Sequence, residues 1–557
     1  MHINPRKPWL KHYLEGVPHE IDLAGHSSIV ELLEASFEKY PNCIAIESMG
    51  HSMSYRQLDV LSRDFAAYLQ TLGLEAGARI AIMFPNIPQY AIAMLGTLRA
   101  GLTVVNINPL YTARELEHQL RDSGASVLTI LENFAHVYQE IENQALVKKV
   151  IVSSFGETLG PKGVIVNLVA RHIKKLVPQW KFSCVKFNQA LKIGSGHGFS
   201  RPHIDLEDVA FLQYTGGTTG VSKGAVLLHR NILANIIQIE SWLEPALQHR
   251  RLKQLVFLCA LPMTHIFALT ACALLGMRKG AKLILVANPR DITSLIQLLM
   301  RHPDINIFPG VNTLFHALIH RPEFKAVKLP NLLVTIGGGM AVQKKTADLW
   351  HKLTGVPIAQ GYGLSETSPV VCVNTPFIKE FTGSIGMPVS STDVVILDDD
   401  GSEVPFGTPG EICIKGPQVM RGYWGRPEET GQFITPDGYL KSGDIGIMSS
   451  EGYVQIVDRK KDMIVVAGFK VFPNEVEEVI SAIAGVRECA VIGLPHRKLG
   501  EIVKAYIVKD KTDLTEGQVI QFCKEQLTSY KRPRKIVFID EMPKSNVGKI
   551  LRRHLRD

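Results

Sequence analysis

Across residues 78–337 the chain alternates short apolar runs with amphipathic stretches, and this alternation limits the fold more than any other feature of the sequence. The runs are ARIAIMF (78–84), GLTVVNI (101–107), SVLTILE (126–132), KKVIVSS (148–154), AKLILVA (281–287) and NLLVTIG (331–337). Helix-like patterns lie between them. Strands that alternate with helices pair in parallel and bury both faces, so the expected fold class is α/β, with stacked mixed sheets and helices. A chain of 557 residues also exceeds the roughly 250–300 residues at which one hydrophobic core stops growing.

From about 381 the texture shifts to frequent Gly, Pro and Asp, with short strands such as TDVVILDDDG and GEICIKG. This reads as a small β-rich unit closing the large N-terminal domain, 1–457. The charged run DRKKD begins a hinge at 458–461. The tail 462–557 reads strand, helix (PNEVEEVISAI), strand (ECAVIGLP), strand (VKAYIVK), helix (EGQVIQFCKEQL), strand (KIVFID). That order describes a small, mobile α+β C-terminal domain.

The stretch Leu255 to Gly276 carries no Asp, Glu, Lys or Arg and approaches the ~20 residues of a spanning helix. Pro262 and His265 interrupt it, so a buried strand, a turn and a core helix are expected instead. Eight scattered cysteines without a C-x-x-C pair read as buried thiols of a reducing compartment. The N-terminus has no apolar h-region and the C-terminus, RRHLRD, is no peroxisomal address, so a cytoplasmic location is expected. A net charge of +8 without zinc-finger spacing or a long basic run gives no case for nucleic acid.

The strongest local signal is Tyr214-Thr215-Gly216-Gly217-Thr218-Thr219-Gly220-Val-Ser-Lys223-Gly224. Glycines let backbone N–H groups approach phosphate oxygens, threonine hydroxyls add donors, and lysine adds a point charge. Lys223 precedes Gly224, so the G-x-x-x-x-G-K-[ST] spacing fails. Gly361-Tyr-Gly363-Leu-Ser-Glu likewise fails the G-x-G-x-x-G dinucleotide fingerprint.

With this loop and the motifs that follow in order, the chain resembles the adenylate-forming superfamily of acyl-CoA ligases, luciferases and peptide-synthetase adenylation domains. Those motifs are Pro262-Met-Thr-His265, Gly337-Gly338-Gly339, Gln360-Gly361-Tyr362-Gly363-Leu-Ser365-Glu366-Thr, Ser442-Gly-Asp444, Asp458-Arg459-Lys-Lys461-Asp and Pro543-Lys-Ser-Asn-Val-Gly-Lys549-Ile. The wording of YTGGTTGVSKGA, DRKKDMIVVAGFKVFPNEVE and PKSNVGKILRR is most similar to bacterial long-chain fatty-acid–CoA ligases.

The resemblance implies ATP and coenzyme A as co-substrates, Mg²⁺ as cofactor, and a fatty acid as the group activated. It assigns ATP and AMP to Thr215–Gly220, Gly338, Gln360–Gly363, Ser365, Asp444 and Arg459. Tyr362 would stack on adenine, and Asp444 would accept the ribose hydroxyls. Glu366 and Thr215 would hold Mg²⁺. Lys549 and Lys223 would act on the phosphates, and His265 would wall the acyl pocket beside the carboxylate. Taken alone, a histidine in an apolar run is also an ordinary core residue. Lys461 would be the pivot about which the C-terminal domain turns between the two half-reactions. Gly468, Lys470, Lys531 and Arg532 are candidates for coenzyme A, and Gly310, Val311 and Phe315 for the acyl tunnel. Ser442 and Ser365 stand where threonine is usual, and Thr264 where an aromatic is frequent.

Two alternatives stay open at this point: an acyl-AMP ligase that loads a carrier protein, and a non-catalytic acyl or nucleotide sensor. Residues 163–178 mix bulky apolar side chains with Arg171, Lys174 and Lys175, which fits either an interfacial helix on an anionic membrane or the solvated face of a packed helix. The oligomeric state, a homodimer among the options, is equally open.

Overall fold

A computed structural model describes residues 7–144, 146–215, 222–248, 250–510, 513–545 and 548–556. Each of the six apolar runs forms a strand. Arg79–Met83, Thr103–Asn106, Val127–Leu131 and Lys149–Ser153 lie in an eight-stranded sheet, and Lys282–Leu285 and Val334–Gly337 in a nine-stranded one. In the larger sheet Lys282–Leu285, Val256–Cys259, Ile307–Gly310, Val334–Gly337 and Ile358–Gly363 are consecutive and parallel. Their side chains are apolar on both faces because helices cover both.

The two sheets share one core. A single apolar cluster contains Ile46, Phe257 and Leu283 from one sheet and Ile80, Ile82 and Phe211 from the other. Between them runs the helix Pro88–Arg99, every residue of which is buried. Local signals start and stop the outer helices. Ser54 and Gln57 form a capping box at the start of Tyr55–Gln70, as do Thr112 and Glu115 at the start of Ala113–Ser123, which ends on left-handed Gly124. The stretch from Leu255 resolves into the strand Val256–Cys259, a turn, and helical segments from Ile266 to Arg278. Among the described residues no helix is long and apolar enough to cross a membrane.

The nine-stranded sheet continues through Met387–Pro388, which pairs with Val370–Val373. The antiparallel unit therefore begins at Asp393–Leu397, later than the change in composition at 381. It consists of Asp393–Leu397, Gly410–Lys415, Leu440–Met448 and Val454–Arg459. The C-terminal part follows the expected order, except that its first strand is a hairpin. Ile464–Val466 turns through Ala467 and Gly468, both at positive φ, into Phe469–Val471.

Several ion pairs tie the C-terminal part to the chain around 458–462. Arg552 donates to Glu477 (2.7 Å) and Asn474 (2.9 Å) and reaches Asp462 (3.4 Å). Asp458, fully buried, accepts the backbone N–H of Asn474 at 2.7 Å. Further along, Gly548 has φ +80° and lies against Thr313, where a Cβ would stand 2.3 Å from the Thr313 hydroxyl. The absent side chain lets the segment ending in Lys549 dock on the large domain.

Candidate active site

In open α/β sheets, ligands collect beyond the carboxyl ends of parallel strands. Here Thr215 ends Val209–Thr215, Gly337 ends Val334–Gly337, Gly363 ends Ile358–Gly363, and His265 follows Val256–Cys259. Thr215, His265, Gly338, Gln360 through Glu366, Asp444, Arg459, Lys461 and Lys549 all line one continuous cavity of ≈ 2660 Å³. Motifs more than three hundred residues apart thus meet in one place.

Asp444 organises one end. The antiparallel pair Leu440–Met448 and Val454–Arg459 places it opposite Arg459. The Arg459 Nε lies 3.3 Å from its carboxylate, and Tyr362 donates its hydroxyl to it at 2.8 Å. Its backbone N–H is capped by Ser442 Oγ at 3.0 Å. The serine at 442 therefore supplies the hydroxyl that the usual threonine would.

Lys549 is half-buried at the cavity wall near this carboxylate. Burial, then Arg459, Lys461 and Arg552, hold its ammonium down to about 7, against the pull of Asp444. Lys461 is held at about 8, chiefly by burial and then by Arg459. The same field reaches His265, which burial and Lys549 hold near 4, so its imidazole is neutral at ordinary pH.

A chain of buried amides fixes the turn that carries His265. Asn86 Nδ2 donates to the carbonyls of Cys259 (2.9 Å) and Leu261 (2.8 Å), and its oxygen accepts the N–H of Met263 (2.8 Å). Tyr90 OH lies 2.8 Å from the Met263 carbonyl and 2.9 Å from Asn106 Oδ1. Asn106 donates to Gln213 (3.0 Å), and Gln213 donates to the Thr264 carbonyl (2.8 Å). The sequence offers no periodic signal for these residues, because each is a lone polar position inside an apolar segment.

Glu366 accepts the Tyr423 hydroxyl at 2.7 Å, and its carbonyl accepts the N–H of Met420 at 2.8 Å. Lys223 pairs with Glu429 and sits 5.5 Å above the Tyr423 ring. Glu366 and Thr215 offer hard oxygen ligands beside the cavity. Among the described residues no cluster of three or more His, Cys, Asp or Glu could hold a metal alone. That set fits Mg²⁺ delivered with a polyphosphate, since this ion takes one or two carboxylates and completes its shell with phosphate and water. Gly216, Gly217, Thr218, Thr219 and Gly220 lie outside the described residues.

Some expected residues do not reach the cavity. Phe315 is fully buried in an aromatic cluster, its ring centroid 4.8 Å from that of Trp350. Gly310 leaves room for that ring, since a Cβ would stand 2.6 Å from it, and Val311 faces Gly548 and Gly339. The apolar wall comes instead from Trp242, Leu243, Leu275, Ile307 and Val334. No one of their segments reads as a tunnel, because four separate elements converge there. Gly468, Lys470, Lys531 and Arg532 are also off the wall. Lys470 pairs with Asp399 (3.3 Å), Lys531 with Glu475 (2.6 Å), and Arg532 caps the carbonyls of Lys524 and Leu527.

The AMP-binding enzyme family model matches residues 33–424, and the AMP-binding enzyme C-terminal domain matches 475–549. The chain is 49% identical over 555 residues to a long-chain-fatty-acid–CoA ligase of Escherichia coli O6:H1, covering 99% of this chain and 98% of that protein. Among solved structures it is similar to ATP-bound MatB from Rhodopseudomonas palustris, at 28% identity and TM-score 0.82, covering 95% of this chain and 98% of that one. The apo form of the same protein matches at TM-score 0.73, with the same identity and coverage.

If the C-terminal part undocks from the large domain, the depressed Lys549 makes its docking pH-dependent. Below pH 7 the lysine is charged whether docked or free, and the docked state carries the full cost of burying it. As pH rises from 7 toward the ordinary lysine value of 10.5, the docked form sheds its proton first and docking strengthens. Dyes placed on the two domains should report a docked fraction that rises from about pH 7 toward about pH 10.5 without ATP, clear of Asp458, which burial raises to about 6. K549M should flatten much of that rise, and Lys461 accounts for the remainder. A flat wild-type profile would contradict the assignment.

Proposed function

The chain belongs to the AMP-binding enzyme family, and on that premise we propose that it is a long-chain fatty-acid–CoA ligase. It joins a fatty acid to ATP as acyl-AMP with release of pyrophosphate, then passes the acyl group to coenzyme A with release of AMP. Full-length similarity to long-chain-fatty-acid–CoA ligases supports the acid and the acceptor. The observation that carries the chemistry is Lys549 half-buried at the cavity wall, within the field of Asp444 and Arg459.

In the first step a carboxylate oxygen of the acid attacks the α-phosphorus, and the bond to pyrophosphate breaks. Negative charge grows on the phosphoryl oxygens and the leaving group. The Lys549 ammonium, held in the cavity wall beside Asp444 and Arg459, would stabilise that charge with little reorganisation. A bound polyphosphate restores its proton, because nearby negative charge favours the charged form. Mg²⁺ bound with ATP would screen the phosphates, with Glu366 and Thr215 as its protein ligands. Tyr362 and Gly338 bracket the base, and Asp444 with Arg459 takes the ribose. His265 would wall the acyl pocket beside the acid's carboxylate, and a neutral imidazole there would not hold that carboxylate in a salt bridge. In the second step the sulfur of coenzyme A attacks the acyl carbonyl and AMP departs. The C-terminal domain, 462–557, turns about Lys461 to admit it. In the docked arrangement Gly468 and Lys470 are turned away from the cavity, which supports a need for that rotation.

K549A should lower acyl-AMP formation by on the order of 10²–10³ while sparing thioester formation from supplied acyl-AMP. Single-turnover assays of each half-reaction separate the two, and equal loss of both would refute this division of roles.

The proposal includes peripheral contact with an anionic membrane. The short helix Lys162–Leu168 and the turn Val169–Ile173 are anchored on their inner side by Gly163, packed on the Gly156 backbone. On the outer side Val164, Ile165, Leu168, Ile173 and Leu176 are each more than half exposed. Lys162, Lys174 and Lys175 flank them and are exposed too. Apolar side chains bordered by lysines match the acyl–headgroup boundary of an anionic bilayer. Vesicles of phosphatidylcholine and phosphatidylglycerol should co-sediment the protein. The double variants I165D/L168D and K174E/K175E should abolish this, with activity on a short soluble acid retained. Wild-type binding by both variants would remove the claim.

A further inference from the structure

One residue outside the recognised motifs joins the two charged groups that face the phosphates. The strand Gly422–Tyr423 pairs antiparallel with Lys223–Leu228, Tyr423 opposite Ala225, and the Trp424 N–H donates to the Gly224 carbonyl at 2.8 Å. The same short segment grips the turn Ser365–Thr367 twice, through Met420 N–H to the Glu366 carbonyl (2.8 Å) and through Tyr423 Oη to Glu366 Oε1 (2.7 Å). Lys223, which begins the paired strand, lies over the Tyr423 ring at 5.5 Å and over Phe433 at 5.6 Å, and is held by Glu429. Glu429 also takes Arg426 (3.1 Å), and Arg426 reaches Asp122 (2.9 Å).

We propose that Tyr423 is a positioning residue for adenylation: its hydroxyl fixes the orientation of Glu366, and its ring face holds Lys223. The inference rests on the adenylation reading of this site. An ionised carboxylate has two acceptor oxygens. Spending one on a buried phenol sets the rotamer and leaves the other for a cation. Tyr423 is buried, and its hydroxyl donates to Glu366. A carboxylate held this way needs no rearrangement when a magnesium–nucleotide complex arrives, whereas a free glutamate has rotamer entropy to lose. The ring serves separately. A cation over an aromatic face is attracted to it, and the ion pair with Glu429 keeps Lys223 at the cavity wall until phosphate oxygens compete for it.

Y423F removes the hydroxyl and keeps the ring. Losing a partner that orients a metal ligand typically costs about 10–100-fold in metal affinity or activity. Titrations of the full chain, followed by calorimetry, should show magnesium–ATP binding weakened about tenfold, with AMP binding in the absence of metal unchanged. The Mg²⁺ concentration for half-maximal acyl-AMP formation should rise in parallel, and the melting temperature should hold. Unaltered magnesium–ATP binding in Y423F, or an equal loss for AMP, would overturn the proposal, the second by revealing general damage to the pocket. E366Q tests the underlying reading. If E366Q keeps full magnesium–ATP binding, the site reading itself fails. If E366Q loses it while Y423F does not, only the role of Tyr423 fails.

Discussion

Lys549 is half-buried in the wall of a cavity that also holds Arg459 and Lys461, with Arg552 close behind and Asp444 as the opposing carboxylate. In water such a cluster would disperse. Held together at one end of the cavity, it depresses both lysines and keeps His265 neutral. Cations gathered around one carboxylate attract a polyanion, and on the proposed function a nucleoside triphosphate supplies both the charge and a sugar for Asp444. The protonation of the site follows from this imbalance.

The rest of the fold delivers those groups to one point. Parallel strands end on the same edge, so Thr215, Gly338 and Tyr362 emerge side by side from two sheets. The antiparallel unit adds Asp444 and Arg459 as cross-strand partners. Buried amides from Asn86 to Gln213 pin the His265 turn to both sheets. Each of them would be costly to leave unpaired in the core, and together they specify one arrangement of that turn. The Arg552 pairs with Glu477 and Asp462 fix the tail that carries Lys549. Affinity for the triphosphate thus depends on many contacts that never touch it.

The architecture was legible wherever one physical signal dominated. Six apolar runs became strands, and the tail from Pro473 to Phe538 followed its expected order, because period and length separate strand from helix there. The motifs named Asp444, Glu366 and Lys549, and the structure brings them to one cavity. The apolar wall of the cavity was not legible. Phe315 follows a strand end that looked lined up for the tunnel, yet its ring packs on Trp350, and the wall is assembled from Trp242, Leu275 and Ile307. Lys470, Lys531 and Arg532 drew attention by charge, but in this arrangement they pair with nearby acidic groups or cap a helix. Tyr423 and Gln213 carry no pattern at all, since their importance lies in partners tens to hundreds of residues away. Burial and partnership arise from tertiary packing, which no local window of sequence contains.

The most direct measurement incubates the full-length protein with ATP, Mg²⁺ and coenzyme A against a series of fatty acids from acetate to oleate, and quantifies AMP and thioester together. The account predicts that both appear in equal amounts and that long-chain acids give the fastest turnover, because the charged cluster drives adenylation and the apolar wall holds the chain. Acyl-AMP that accumulates without thioester would contradict coenzyme A as the acceptor. No turnover with any acid would contradict the account at its root.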